Sequence, residues 1–205
     1  TALGWWGIDR GGILWNSKCY RVMGTQLVSV EQNGSVTNLG GVGEGGPVSM
    51  DFGFDRLAIN SGDRLYYYNI DALKPVTDPD LGPVKDMLWV SGFYMTTDGT
   101  SIVVTELSDP MSVLPLKYGS AEEDPDQITG LIKVRGEVYV LGTNTIQVME
   151  LVGGNGFPFA PVRGATIPYG CVSASAKCPF GETFAFVGSA RNEGLGVYIA
   201  GQGTA

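Results

Sequence analysis

The stretch that decides the fold is DQITGLIKVRGEVYVLGTNTIQVMEL, residues 126–151. It contains three apolar segments, ITGLIKV, EVYVLG and TIQVMEL, which two short breaks separate. The breaks are Arg135-Gly136 and Thr143-Asn144, and two-residue breaks between such segments are typical of β-hairpins. The stretch therefore predicts three consecutive antiparallel strands. A more polar segment, PFAPVRGA, follows and would supply a fourth.

The same plan recurs along the chain. With the unit near residue 126, similar units begin near residues 4, 47, 85 and 169, about 40 residues apart, which is the repeat length of four-stranded propeller blades. No segment has a sustained helical period, and the 31 glycines suit many tight turns. We expect an all-β, β-propeller-like fold of about five four-stranded blades. The predicted blades are near residues 4–46, 47–84, 85–125, 126–168 and 169–205, all in a single domain 1–205.

The last predicted blade has no obvious fourth strand after GVYIAG. Either residues 1–6 complete its sheet, or further blades follow. Neither the first residue, Thr1, nor the last residues, GQGTA, look like a natural terminus, so we expect the chain to be a fragment of a longer protein.

Charge and composition exclude several functions. The chain has 21 acidic and 13 basic residues, no histidine and a net charge of −8. Because no cluster of lysine and arginine occurs, we expect no specific nucleic-acid binding and no membrane association. The absence of histidine excludes Ser-His-Asp and Cys-His catalysis and histidine metal ligands. No apolar run of about 18 residues occurs, so we expect no membrane-spanning helix.

The three cysteines are Cys19, Cys171 and Cys178. Without histidine, a zinc site would need thiolates and carboxylates alone, and the spacing between the last two cysteines is not a typical ligand spacing. We expect buried, reduced thiols.

Four acids lie at or near predicted first strands, which line the central channel of a propeller: Asp9, Asp51, Asp86 and Asp126. Two carboxylates facing each other there could act as a glycosidase pair or hold Ca²⁺. None of them is flanked by the aromatic and arginine residues that a sugar site needs. We therefore interpret these acids as strand-end residues that bond to the local backbone.

An acidic run, Glu122, Glu123, Asp124 and Asp126, precedes the strand that begins near residue 128. Pro125 interrupts the run, and the glycine and glutamate of a calcium loop do not follow at the required offsets. We interpret the run as a solvated loop between two blades. Asp126 lies nearest the strand and is the one acid of the run that we single out as a candidate for a specific contact.

Two further features have structural interpretations. The glycine-rich GGVGEGG, residues 40–46, lacks the lysine and hydroxyl residue of a phosphate-binding loop, so we interpret it as a flexible connection between the first two blades. The aromatic residues in predicted strands could form a stacking surface for sugars or bases, but their alternation favours packing between blades. These aromatic residues are Trp5, Trp6, Trp15, Tyr66, Tyr67, Tyr68 and Trp89.

The ordered segments LAINSGDRLYYYN, DGTSIVVTELSDP, QITGLIKVRGEVYVLGTNTIQVMEL and CPFGETFAFVG resemble those of a known family. The family is the packaged-DNA stabilisation protein, also called the tail accessory factor or tail hub protein, of short-tailed lambdoid-type bacteriophages. The resemblance extends over nearly the whole chain and is weakest in residues 1–10, 40–46 and 72–84.

The resemblance implies a non-enzymatic structural component of the virion tail, made in the host cytoplasm. It would self-associate into a ring below the portal and adaptor proteins, extend the tail tube, contact the tail needle or plug protein and help to retain packaged DNA. We expect no catalytic, cofactor-binding or metal-binding residues and no cofactor. The alternative is a carbohydrate-active or carbohydrate- or receptor-binding propeller that uses channel-facing carboxylates.

Overall fold

The computed structural model describes residues 7–53, 55–107, 109–113, 118–120 and 126–200. Within these residues it contains twenty β-strands, one short 3-10 turn at Pro79–Leu81 and no α-helix. The strands form five separate antiparallel sheets, which follow one another along the chain. The predicted all-β, propeller-like fold is confirmed.

The strands are numbered in chain order. The first sheet contains β1 (Asp9–Trp15), β2 (Lys18–Met23), β3 (Gln26–Val30) and β4 (Val36–Gly41). The second contains β5 (Ser49–Gly53), β6 (Arg56–Ser61), β7 (Arg64–Tyr68) and β8 (Leu73–Pro75). The third contains β9 (Asp86–Val90), β10 (Phe93–Thr97), β11 (Ser101–Val104) and β12 (Tyr118–Ser120). The fourth contains β13 (Ile128–Val134), β14 (Glu137–Gly142), β15 (Ile146–Leu151) and β16 (Phe159–Pro161). The fifth contains β17 (Gly170–Cys171), β18 (Lys177–Phe180), β19 (Thr183–Ser189) and β20 (Gly196–Ala200).

In the first four sheets each strand pairs with its neighbour in sequence. The first and third strands therefore run in one direction and the second and fourth in the other. The connections from first to second and from third to fourth strand emerge on one side of the molecule, which we call the hairpin side. The connections from second to third strand, and from one sheet to the next, emerge on the opposite side, which we call the link side.

The fifth sheet differs from this plan. β17 and β18 both pair with the same edge of β19, β17 near Gly188 and β18 near Phe184, while β20 pairs with the other edge. The predicted first strand of this unit is therefore present as two pieces that residues 172–176 separate. Residues 1–6, one of the two alternatives for completing this sheet, lie outside the described residues.

Each pair of consecutive sheets encloses a hydrophobic cluster. The three tyrosines of β7 show how one strand serves two clusters. Tyr66 and Tyr68 pack with Trp15 of the first sheet, whereas Tyr67 faces the third sheet, where its ring centroid lies 4.8 Å from that of Tyr94. The described members of the predicted aromatic set are thus packing residues between blades, as predicted: Trp15, Tyr66, Tyr67, Tyr68 and Trp89. Trp5 and Trp6 lie outside the described residues.

The glycine-rich connection, residues 40–46, is held in place by Arg10. The Arg10 guanidinium donates hydrogen bonds to the carbonyl oxygens of Gly24, Gly43 and Gly46 at 2.7–2.8 Å, and to the Ser61 hydroxyl at 2.8 Å. A Cβ on Gly45 would lie 2.6 Å from the same guanidinium. The segment joins the first two blades as predicted, but an arginine bound by several backbone carbonyls fixes its path.

Replacing Arg10 by alanine should therefore lower the free energy of unfolding by about 2–3 kcal/mol, because several carbonyls would lose a charged donor. Cleavage by an unspecific protease should also become faster within residues 40–46. Denaturant unfolding and limited proteolysis read by mass spectrometry measure both effects. R64A, which changes an exposed arginine of β7, is the matched control, and equal cleavage in the two variants would contradict the role of Arg10.

Candidate functional site

The first strands of all five sheets surround one cavity of about 560 Å³. Its apolar walls come from residues such as Ile13, Met50, Met87 and Leu131, and its charged groups from lysines and aspartates. A cavity of this size at the axis of a propeller is the natural candidate for a binding or catalytic site. The charged residues that line it are Asp51, Lys85, Asp86, Lys133 and Lys177.

Asp86, at the start of β9, makes contacts with two later sheets. Its Oδ2 accepts the backbone N–H of Leu131 in the fourth sheet at 2.8 Å and the ammonium of Lys177 in the fifth sheet at 2.5 Å. Lys177 also donates to the carbonyl oxygen of Ala174 at 2.6 Å. The side chains of Asp86 and Lys177 are only 1% and 12% exposed. We call this set the buried bridge.

Asp51, in β5, makes the same kind of contact one sheet earlier. Its Oδ2 accepts the backbone N–H of Trp89 in the third sheet at 2.7 Å and the ammonium of Lys133 in the fourth sheet at 2.6 Å. Lys133 also donates to the carbonyl oxygen of Trp89 at 2.7 Å and lies 5.5 Å from the centroid of its ring. This set, the exposed bridge, is more open to solvent, because the Lys133 side chain is 39% exposed.

The two bridges follow one rule: an aspartate of one sheet binds the backbone of the next sheet and the lysine of the sheet after that. Each aspartate also accepts its own neighbour's backbone N–H, from Phe52 or from Met87 at 2.9 Å. Both oxygens of both carboxylates are therefore engaged. A glycosidase pair needs one carboxyl group free to give a proton and another free to attack or to activate water. The arrangement instead supports a structural role.

The cavity brings together only two of the four acids expected near the channel. Asp9 lies at the start of β1 and pairs with Arg21 of β2, whose hydrogen bond lowers the pKa of Asp9. Asp126 lies just before β13 and binds the turn between β14 and β15. Asp9, Asp51 and Asp86 each accept the backbone N–H of a residue one or two positions further on, as expected for local bonding. The sequence did not predict that Asp51 and Asp86 also bond across sheets, or that Asp126 binds a turn 18 and 19 residues away.

Asp126 fastens the turn at residues 143–145. Its carboxylate accepts the backbone N–H groups of Asn144 and Thr145 at 2.7 and 2.8 Å, as well as the hydroxyl of Thr143 and the amide of Asn144. Partial burial acts to raise the pKa of Asp126, but these hydrogen bonds outweigh it, and the pKa is lowered from its usual value of 3.8. Glu122, Glu123 and Asp124, the rest of the acidic run, lie outside the described residues.

Replacing Asp126 by asparagine should lower the free energy of unfolding at neutral pH by about 1–3 kcal/mol. The lowered pKa fixes the sign of the pH dependence. The contribution of Asp126 is complete above pH 3.8, its unfolded value, and is lost as the pH falls through the lower folded value. The difference in the free energy of unfolding between wild type and D126N should therefore shrink as the pH falls below 3.8. Denaturation at pH 7 and pH 3 measures it, and a difference that persists unchanged would contradict the role of the carboxylate.

The cysteines only partly follow the prediction. All three are free thiols, but only Cys171 is buried, while Cys19 is partly buried and Cys178 is exposed. The prediction of a buried thiol is therefore wrong for Cys178, because β18 presents it on a face of the fifth sheet that no other described sheet covers. Among the described residues, no group of three or more Cys, Asp or Glu side chains has the geometry to hold a metal ion.

Together, five antiparallel sheets around one axial cavity define a β-propeller domain whose axis is crossed by Asp–Lys bridges. A family sequence model described as "Bacteriophage P22 Gp10, beta-propeller" matches residues 2–205. The chain therefore belongs to this family of phage proteins. In the part of the chain that the structure describes, no helix is long and apolar enough to span a bilayer.

The chain is also 29% identical to the tail hub protein gp10 of Salmonella phage P22, over 97% of this chain and 45% of that protein. It thus spans less than half the length of this curated relative. Solved structures share the fold at low identity. A catalytically inactive virginiamycin B lyase from Staphylococcus aureus with quinupristin has a TM-score of 0.60 at 10% identity, over 93% of this chain and 69% of that chain. The N-terminal domain of Nup159 has a TM-score of 0.58 at 12% identity, over 95% and 58%.

Proposed function

We propose that this chain is a non-enzymatic structural part of a phage tail that works by assembly. Several copies of the full protein form a ring below the portal and adaptor proteins, extend the tail tube and help to retain packaged DNA. Family membership and the likeness to the P22 tail hub protein support a structural role in the virion tail. The portal, the adaptor and the tail needle or plug are the proposed partners, and residues 1–205 form one propeller domain of the longer protein.

The observation that carries this proposal is that the carboxylates of the axial cavity are already bound to lysines and to the backbone. Its two channel carboxylates are engaged by lysines and by backbone N–H groups of neighbouring sheets, and the lysine side chains cross the cavity. A sphere of the cavity's volume, about 560 Å³, is about 10 Å across, whereas the major groove of a DNA duplex alone is about 12 Å wide, so a duplex does not fit in the cavity. In this proposal the conduit for DNA lies between copies of the protein, and the domain acts as a stiff wall element.

The net charge of −8 suits such a wall. A surface that repels phosphate lets DNA slide past without being held, so retention depends on contacts between proteins. The carbohydrate alternative would need carboxylates that are free to face a sugar, and Asp51 and Asp86 are both engaged. We therefore do not propose it.

Mixing the full-length protein with purified portal–adaptor complex and imaging the particles by electron microscopy tests the proposal. We expect an additional ring of density below the adaptor, with the propeller at its circumference and an open lumen on the symmetry axis. Particles that remain unchanged at a protein excess would overturn the assembly role. Density for a single copy plugging the axis would overturn the ring.

A further inference from the structure

The second, third and fourth sheets are packed on both faces by neighbouring sheets. An exposed apolar side chain on these sheets therefore cannot be explained by an open end of the sheet stack. Six large apolar or aromatic side chains of these sheets and their connections are nevertheless exposed in the described part of the chain. They are Phe52, Ile70, Leu107, Tyr118, Leu151 and Val152.

Five of the six lie on the hairpin side. Phe52 is near the end of β5, and the other four are at or just beyond the ends of third strands: Ile70 after β7, Leu107 after β11, and Leu151 and Val152 at the end of β15. Ile70, Leu107 and Val152 are the most exposed, at 62%, 56% and 59%. Tyr118 is the exception, because it lies in outer strand β12, where its hydroxyl donates to the carbonyl oxygen of Asp80. Scattered exposed apolar residues are normal, but their concentration on one side of packed blades indicates an interaction surface.

Acidic residues accompany these apolar residues in sequence: Ile70-Asp71, Glu106-Leu107 and Glu150-Leu151. Asp71 and Glu150 are exposed, and neither takes part in an ion pair with another described residue. The corresponding connection of the first sheet differs, since Glu31 is paired there with Lys18 at 2.8 Å. The second and fourth sheets therefore carry two acids, Asp71 and Glu150, whose charge remains available to a partner.

The connection that contains Ile70 is held in a defined shape. Ile70 has a φ of 75°, which is costly for a β-branched residue and persists only where the surroundings impose it. The Tyr68 hydroxyl donates to the Ile70 carbonyl oxygen at 2.9 Å, and the Asn69 side chain accepts the N–H of Ala72 at 3.1 Å. These bonds hold Ile70 in the exposed position.

We propose that these residues form a docking surface, the acidic-apolar rim, for a partner protein that presents lysine or arginine next to apolar side chains. The apolar residues supply contact area that loses water on binding, and the acids supply steering and orientation. Uncompensated carboxylates disfavour DNA and anionic membranes, and they disfavour a second copy of a chain whose net charge is −8. The rim is defined by Phe52, Ile70, Asp71, Leu107, Glu150, Leu151 and Val152.

The inference rests on the proposed function for the identity of the partner, which is a virion protein. The first test is a charge reversal, D71K/E150K, in the full-length protein, with purified portal–adaptor complex as the probe. We expect association about tenfold slower than for wild type, with a weaker dependence on salt. The matched control is E44K/E193K, which makes the same change in net charge and should associate within about twofold of wild type. Both acids are exposed and lie on the link side: Glu44 is in the connection from the first sheet to the second, and Glu193 is in the β19–β20 connection, which corresponds to the second-to-third-strand connection of the other sheets. Thermal unfolding checks that both variants are folded.

The second test is hydroxyl-radical footprinting of the wild-type protein, free and in purified virions. We expect peptides with residues 70–71 and 150–152 to be protected in virions, and the link-side peptide with residues 191–195 to be less so. If the rim peptides are as reactive in virions as in the free protein, the proposed docking surface is wrong, while the proposed function stands. Equal slowing of both double variants would do the same, because net charge would then explain the effect. Absence of the protein from virions would overturn the proposed function and the rim with it.

Discussion

Replacing Asp86 by alanine should lower the free energy of unfolding by about 3–5 kcal/mol, the cost of leaving one member of a buried ion pair without its partner. The Asp86 and Lys177 side chains are 1% and 12% exposed, so water can only partly replace the lost carboxylate at the ammonium. The backbone N–H of Leu131 would lose its acceptor as well. Three consecutive sheets would be loosened by one substitution.

The two bridges provide a matched comparison. D51A removes the same kind of carboxylate from the exposed bridge, where the Lys133 side chain is 39% exposed and can be solvated. D51A should therefore lower the free energy of unfolding by only about 1–2 kcal/mol. The double variant D86A/K177M removes both charges of the buried bridge and should be more stable than D86A. Denaturant unfolding of the four proteins gives these values, and equal losses in D51A and D86A would show that burial does not set the cost.

Replacing Gly188 by alanine should lower the free energy of unfolding by about 3 kcal/mol, near the upper end of the range for overpacking a closed site. A Cβ at this position would lie 1.7 Å from the carbonyl oxygen of Gly170 on the paired strand. The obstacle is backbone, so no side chain can rotate away. Gly170 has no room to retreat either, because its own Cβ position is 2.0 Å from the Thr143 carbonyl oxygen. The variant must open the pairing of β17 with β19.

Gly194, in the connection between β19 and β20, is the control for this substitution. Nothing lies within 4 Å of the position that its Cβ would take. G194A should therefore leave the stability unchanged or raise it slightly through the lower entropy of the unfolded chain. Thermal unfolding of both variants and amide exchange at Cys171 and Val172 measure the difference. A G188A protein as stable as G194A would contradict the close backbone approach.

The order and type of the strands could be predicted because the signals are local. Alternating apolar residues bounded by Arg135-Gly136 and Thr143-Asn144 define hairpins without reference to distant residues. The interruption in the fifth sheet was harder to predict, because residues 172–176 carry no signal that distinguishes a break from a continuous strand. What keeps β18 in place is its pairing with β19, which depends on the assembled sheet.

The bridges could not be predicted for a different reason. Lys133 and Lys177 are 82 and 91 residues from the aspartates that they bind. Each is a single charge in its strand, with no spacing that identifies its partner. Only the closure of the sheets around an axis brings these groups together. The same holds for Arg10, whose partners include Ser61, 51 residues away.

The two bridges also change how the domain can come apart. In an array whose units touch only their immediate neighbours, a unit can unfold at the cost of its own stability and one or two interfaces. Here each bridge couples a sheet to the sheet two places further on. The exposed bridge links the second, third and fourth sheets, and the buried bridge links the third, fourth and fifth. Removing any one of these four sheets breaks at least one bridge. Under tension along the chain, this next-nearest-neighbour coupling favours release of these four sheets as a single cooperative unit rather than blade by blade.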